Sequence, residues 1–136
     1  MGSSALVAGK FLIDTHVWIW HVMGDARLEA AHKRILQDRN NEFWLSSISI
    51  WEILLLLEKK KLKVNTSPSV WLERAFEAFP VREAALTFKI AARSRELTLP
   101  HADPADRFIA ATAAEMKIPL LTVDENLISC PDIICR

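Results

Sequence analysis

Four acidic residues stand where a carboxylate is either conspicuous or costly: Asp14, Glu52, Asp106 and Asp124. Asp14 directly follows the apolar run Phe11-Leu12-Ile13, and Asp124 follows Leu120-Leu121-Thr122-Val123. If both runs are parallel strands, both carboxylates leave the same edge of a sheet; each is equally suited to cap a following helix. Glu52 sits inside Ile48-Ser49-Ile50-Trp51-Glu52-Ile53-Leu54-Leu55-Leu56-Leu57. Its helical neighbours at three and four residues are Ile48, Ser49, Leu55 and Leu56. A helix apolar nearly all round is ordinarily buried, so this carboxylate needs a metal ion, a buried arginine, or partial access to water. Asp106 lies in Asp103-Pro104-Ala105-Asp106-Arg107-Phe108-Ile109-Ala110-Ala111-Thr112-Ala113. Asp103 and Pro104 read as the cap and first position of a helix, and Asp106 also suits a first turn. Ala110 and Ala113 share the face of Asp106 and are small enough to let that face approach a neighbouring element closely.

Four converging carboxylates repel one another, and some hold protons at neutral pH. A divalent cation relieves that repulsion, and ligation by oxygen alone favours Mg²⁺ or Mn²⁺. Such carboxylate sites leave positions for water and for a substrate phosphate. The chemistry that fits is metal-assisted phosphodiester hydrolysis, in which the cation activates water and stabilises the leaving oxygen. No histidine is needed as a base. His16, His21, His32 and His101 form no metal-spaced pair and read as surface or structural residues.

The elements that must position these acids follow from apolar patterning. Lys10–Ile13, Phe43–Ser46 and Leu120–Val123 read as strands, with short edge strands at Phe79–Val81 and Asp132–Cys135. Helices are expected over about 15–22, 26–37, 48–60, 68–78, 83–96 and 104–117, with turns or loops at Asn40-Asn41, Asn65–Pro68 and Leu97–Ala102. Short apolar strands alternating with helices indicate an α/β domain with a central parallel sheet of about five strands flanked by helices. Ligands of such sheets bind beyond the carboxyl ends of the strands, where Asp14 and Asp124 stand. Residues 10–136 read as one domain, and residues 1–9 as an N-terminal extension or a cloning remnant.

Composition narrows the rest. The chain has 136 residues, is 51% hydrophobic and 25% charged, and has a formal net charge of zero. A single cored domain fits, and nucleic-acid binding through bulk charge does not. No run approaches the ~20 apolar residues of a membrane span. Cys130 and Cys135 read as ordinary reduced thiols, which makes the cytoplasm the expected compartment.

The four acid blocks together resemble PIN-domain ribonucleases, and within them the VapC-type toxins of toxin–antitoxin pairs. Phe11-Leu12-Ile13-Asp14-Thr15-His16 is similar to the family's first strand and first acid, and Ser46–Ile53 to its second block, with Glu52 as the second acid. Asp103–Ala113 is the most specific block, with Asp106 as third acid; Pro119–Glu125 resembles the last, with Asp124 as fourth. The resemblance runs from about Phe11 to Ile128. It implies the PIN fold, Mg²⁺ or Mn²⁺ held by Asp14, Glu52, Asp106 and Asp124, and endonucleolytic cleavage of RNA. It also implies a homodimer and a cognate antitoxin whose C-terminal segment blocks the site. Thr122 matches a hydroxyl position that supports the metal site.

Several features have two readings. The basic run Lys59-Lys60-Lys61-Leu62-Lys63 suits a helix C-terminus or, through Lys60, a contact to substrate phosphate. Arg107 is placed either to touch phosphate or to pair with an acid. Of the five tryptophans, most are expected in the core and some as interface anchors. Two other functions share the pattern. A catalytically silent PIN-fold module would bind RNA or protein without cutting. A receiver-type phosphoacceptor needs paired acids after the first strand and a lysine after a late one, whereas Asp14 has no acidic neighbour and Asp124 holds the late strand end.

Overall fold

Among the described residues the first regular element is β1 (Lys10–Ile13), and it becomes the second strand from one edge of a four-stranded parallel sheet of order β3-β2-β1-β4. The structure is a computed structural model that describes residues 9–100 and 103–136; residues 1–8 of the expected extension and His101 and Ala102 of the expected loop lie outside them. β2 is Glu42–Ser46, β3 is Arg82–Ala84 and β4 is Leu120–Leu121. β1 pairs in parallel with β2 through Lys10↔Glu42 to Leu12↔Trp44, and with β4 through Leu12↔Leu120 and Ile13↔Leu121. The chain therefore steps outward from β1 to β2 to β3, then returns to the opposite side of β1. That reversal of order makes the gap beyond β1 and β4 the switch point where α/β sheets bind ligands.

Alternation along the strands divides the core between the two faces of the sheet. Leu12 and Leu120 join Ile109, Ala110, Ala113 and Leu127 on one side; Ile13 and Leu121 join Val17, Trp18, Leu45 and Ile53 on the other. The helices are α1 (Thr15–Met23), α2 (Ala30–Gln37), α3 (Ser47–Glu58), α4 (Pro68–Ala78), α5 (Phe88–Arg93), α6 (Pro104–Met116) and α7 (Glu125–Ile128). Gly24, in the left-handed region at φ 64°, closes α1 by donating to the Trp20 and His21 carbonyls.

Some elements differ from the reading of the sequence. The expected fifth strand at Asp132–Cys135 contributes a single parallel bridge, Leu120↔Cys135, with Leu120 N–H donating to the Ile134 carbonyl at 2.8 Å. α2 begins at Ala30 because the Asp25 carboxylate accepts from Arg27 N–H at 2.9 Å and ties residues 25–27 into a turn. The edge strand falls at Arg82–Ala84 and not at 79–81, inside what reads as the start of a helix, because these residues pair with Trp44, Leu45 and Ser46 of β2. The helix waits for Thr87, whose hydroxyl accepts from Ile90 N–H at 3.2 Å and caps α5. α3 is not the buried helix its composition suggests. Ser49 and Ile53 are its buried residues, and Trp51 is 56% exposed. Trp18 alone among the tryptophans is fully buried, with Trp20, Trp44 and Trp71 half-buried.

Candidate active site

The acids come together beyond the carboxyl ends of β1 and β4. A cleft of about 310 Å³ is lined by Asp14, His16, Trp20, Glu52, Asp103, Asp106, Val123 and Asp124. A larger cavity of about 460 Å³, between Leu45, Ile50, Phe76 and Val81, offers Glu83 as its one acid and is remote from the chemistry read in the sequence.

Each acid is placed by a different element. Asp14 ends β1, and its side chain caps α1: one carboxylate oxygen accepts from Thr15 N–H at 2.8 Å, the other from the Thr122 hydroxyl at 2.6 Å. The Thr122 oxygen in turn accepts from Asp124 N–H at 3.1 Å. Thr122 thus joins the ends of β1 and β4 and fixes Asp14 relative to Asp124. Asp124 caps α7 through Asn126 N–H at 2.8 Å. Asp14 and Asp124 both act as helix caps, which is compatible with the acid-site reading because a capping carboxylate keeps acceptor capacity on its remaining lone pairs. Glu52 arrives on α3. That helix is pinned to the start of α1 by the buried Thr15 hydroxyl, which donates to the Ser49 hydroxyl at 2.8 Å one turn before Glu52. Asp106 lies in the first turn of α6, whose cap, Asp103, accepts from Asp106 N–H at 2.9 Å. Ala110 and Ala113 are fully buried on the same helix face and allow the close approach their size suggested.

The electrostatics register the convergence. Burial and then the charges of Asp103, Asp14, Asp124 and Glu52 push the Asp106 carboxyl up to about 7. Burial also raises Asp14, against the hydrogen bonds from Thr122 and Thr15, and the Glu52 charge adds to the rise. Glu52 Oε1 is buried without a hydrogen-bond partner among the described residues. A buried carboxylate oxygen left so is expensive, and an all-oxygen cluster is what a hard divalent cation takes. Among the described residues, no three Asp, Glu, His or Cys side chains already stand as a closed metal-holding group. The two observations differ in reach: charge coupling extends over several ångströms, whereas Mg²⁺ ligands must meet within about 2.1 Å of one point. Like charges hold each other apart at that scale, so the acids are gathered but not closed.

Other residues fall elsewhere. Arg107 neither faces a phosphate site nor pairs with an acid. Its guanidinium donates to the carbonyls of Ser94 at 3.0 Å, of Leu97 at 3.5 Å and of Leu99, holding the chain that leads into α6. Lys60, in the left-handed region at φ 57°, lies with Leu57, Leu62, Lys63 and Val64 in a hollow that shares no residue with the cleft. Lys59 and Lys61 instead line a groove together with Glu52 and Asp103. The cleft's lining has no lysine, as a phosphoacceptor site would need. Sequence reasoning passed over Thr15, Ser49 and Asp103 as parts of the site; His16, read as a surface or structural residue, is exposed and also lines the cleft. The available signals were the position of Ser49 one turn from Glu52 and of His16 one turn before Trp20, against whose ring it stands at 6.1 Å. Cys130 and Cys135 are free thiols, and no helix among the described residues is long and apolar enough to cross a membrane.

Comparison with known proteins agrees with this fold. The PIN domain family model matches residues 11–131. Ribonuclease VapC22 of Mycobacterium tuberculosis is 32% identical over 119 residues, covering 85% of this chain and 88% of the relative. Among solved structures, VapBC2 from Rickettsia felis bound to a DNA fragment from its promoter superposes with a TM-score of 0.68 at 16% identity, covering 93% of this chain and 97% of the other. A toxin–antitoxin complex from Klebsiella pneumoniae gives 0.62 at 21% identity, covering 90% and 94%.

Proposed function

The chain belongs to the PIN-domain family, and from that premise we propose that it is a Mg²⁺- or Mn²⁺-dependent endoribonuclease, the toxin of a toxin–antitoxin pair. The observation that carries this reading is the gathering of Asp14, Glu52, Asp106 and Asp124 at one cleft, close enough to hold Asp106 at about 7. Asp14, Glu52, Asp106 and Asp124 hold the cation. When bound, it supplies Lewis acidity, activating water for attack on a phosphodiester and stabilising the leaving oxygen. The chain's own residues keep the acids in place. Thr122 and Thr15 orient Asp14, and the Thr15–Ser49 bond sets the rotation of α3 and with it Glu52. Trp20 and Val123 form the apolar wall of the cleft.

The proposed partners are a cognate antitoxin and a second copy of the chain. The ribonuclease name of the Mycobacterium relative and the toxin–antitoxin nature of the Klebsiella complex support the first. Phe88, 98% exposed beside the edge strand β3, supports an interface not satisfied within one chain.

The test is cleavage of a mixed RNA pool by the purified protein with Mg²⁺ or Mn²⁺, with EDTA, and with Asp14→Asn and Asp106→Asn. Cation-dependent fragments that vanish in both variants, which keep the wild-type fold, are the expected result. RNA binding that survives EDTA without any fragments would favour the silent binding module.

A further inference from the structure

α3 carries its apolar residues all round but buries little of itself, and the reason lies along its outer face. A groove of about 230 Å³ runs between α3 and the start of α6, lined by Trp51, Glu52, Leu55, Leu56, Lys59 and Lys61 on one side and Asp103 to Ala105 on the other. Glu52 and Asp103 also line the acid cleft, so cleft and groove adjoin across these two residues. Seven residues separate Glu52 from Lys59, two turns of helix and about 10 Å along its axis. Along α3 the groove therefore begins at the exposed Trp51 indole and the Glu52 carboxylate, passes Leu55 and Leu56, and ends at the ammonium groups of Lys59 and Lys61. Trp51 is 56% exposed and Leu54 36%.

We propose that this groove is the subsite for the nucleotide flanking the scissile phosphate of a single-stranded RNA, with its base stacked on Trp51 and its outer phosphate held by Lys59 and Lys61. The proposal rests on the ribonuclease reading and deepens it. A strand whose phosphate sits among the acids must leave the cleft in some direction, and the groove adjoins the cleft and ends in cations. An aromatic face accepts any base, and lysines complement the backbone without reading sequence. The chain's net charge of zero makes such a local arrangement necessary, since bulk charge supplies no attraction. A single planar base needs little depth, and a hollow of about 230 Å³ supplies it.

The test measures equilibrium binding of a fluorescently labelled, mixed-sequence single-stranded RNA to the full chain carrying Asp106→Asn, which leaves the RNA intact. Adding Trp51→Ala is expected to weaken binding about tenfold, the scale of one stacked base, while Trp51→Phe retains most of the affinity. Adding Lys59→Ala with Lys61→Ala is expected to flatten the slope of log affinity against log salt by about 1.4, or about 0.7 for each phosphate charge that a lysine no longer neutralises. In the active protein, Trp51→Ala raises KM and leaves kcat in place. Unchanged affinity and unchanged salt slope overturn the proposal, and if the same variants lose a bound antitoxin peptide instead, the groove belongs to a protein partner. RNA bound through Trp51 yet left uncut by the active protein overturns the nuclease reading and leaves the subsite standing.

Discussion

Asp14 has both carboxylate oxygens occupied, by Thr15 N–H and the Thr122 hydroxyl, and so its position depends on a side chain 108 residues away. Removing the hydroxyl with Thr122→Val is expected to lower kcat/KM about 10- to 100-fold, the usual effect of losing a group that orients a metal ligand; Thr122→Ser should restore most of it. Equal activity in Val and Ser variants would remove the residue from the site. Asp106 makes a separate prediction about pH. Its carboxyl is raised from 3.8 to about 7 in the folded chain. A raised folded pKa means that the native state binds the extra proton, so the stabilisation is complete below about pH 4 and is lost as pH rises through about 7. In EDTA, the wild-type Tm should therefore fall between pH 4 and pH 8 relative to that of Asp106→Asn, and Mg²⁺ should remove the gap. Parallel melting curves would show that the acids do not feel one another. Asp14, Glu52 and Asp124 were legible in the sequence because they end or interrupt apolar runs, and Asp106 because small residues share its helix face. Thr15 and Ser49 were not, since their hydroxyls matter through a pairing across 34 residues that no local pattern records.

At the level of elements, local chemistry announced some boundaries and tertiary pairing overrode others. Ser67-Pro68 and Asp103-Pro104 marked the starts of α4 and α6 as read, because a capping side chain followed by proline is sufficient by itself. Arg82–Ala84 carries no comparable strand signal; it is a strand because β2 offers it a free edge. The same distinction governs Arg107. Beside an acid in sequence, it suggests a phosphate contact, yet its guanidinium is occupied by the Ser94, Leu97 and Leu99 carbonyls. Arg107→Ala should lower stability by about 2 kcal/mol, since charge-assisted bonds are lost and carbonyls are left short of donors, while the salt dependence of RNA binding stays as it was. A reduced salt slope at unchanged Tm would return Arg107 to the substrate.

For the whole molecule, alternating short strands and helices were enough to anticipate an α/β domain with a parallel sheet, and the family model covering residues 11–131 agrees with that fold. What they could not give was the strand order, because which strands neighbour which is decided by packing on both faces and not by local sequence. That order has a consequence in time. β1 is the first strand made and β4 the last, yet they lie side by side, and Asp14 meets Thr122 and Asp124 across their junction. At about 5–20 residues per second, a ribosome needs roughly 5–20 s to go from the first acid to the last. Throughout that interval the nascent chain holds Asp14 without Thr122 or Asp124, and the cleft is incomplete. A chain ending at Lys117 should accordingly neither cleave RNA nor melt cooperatively, whereas cleavage by such a fragment would mean that the site is complete without β4. On the proposed ribonuclease reading, the chain is thereby inert until its last strand has been made.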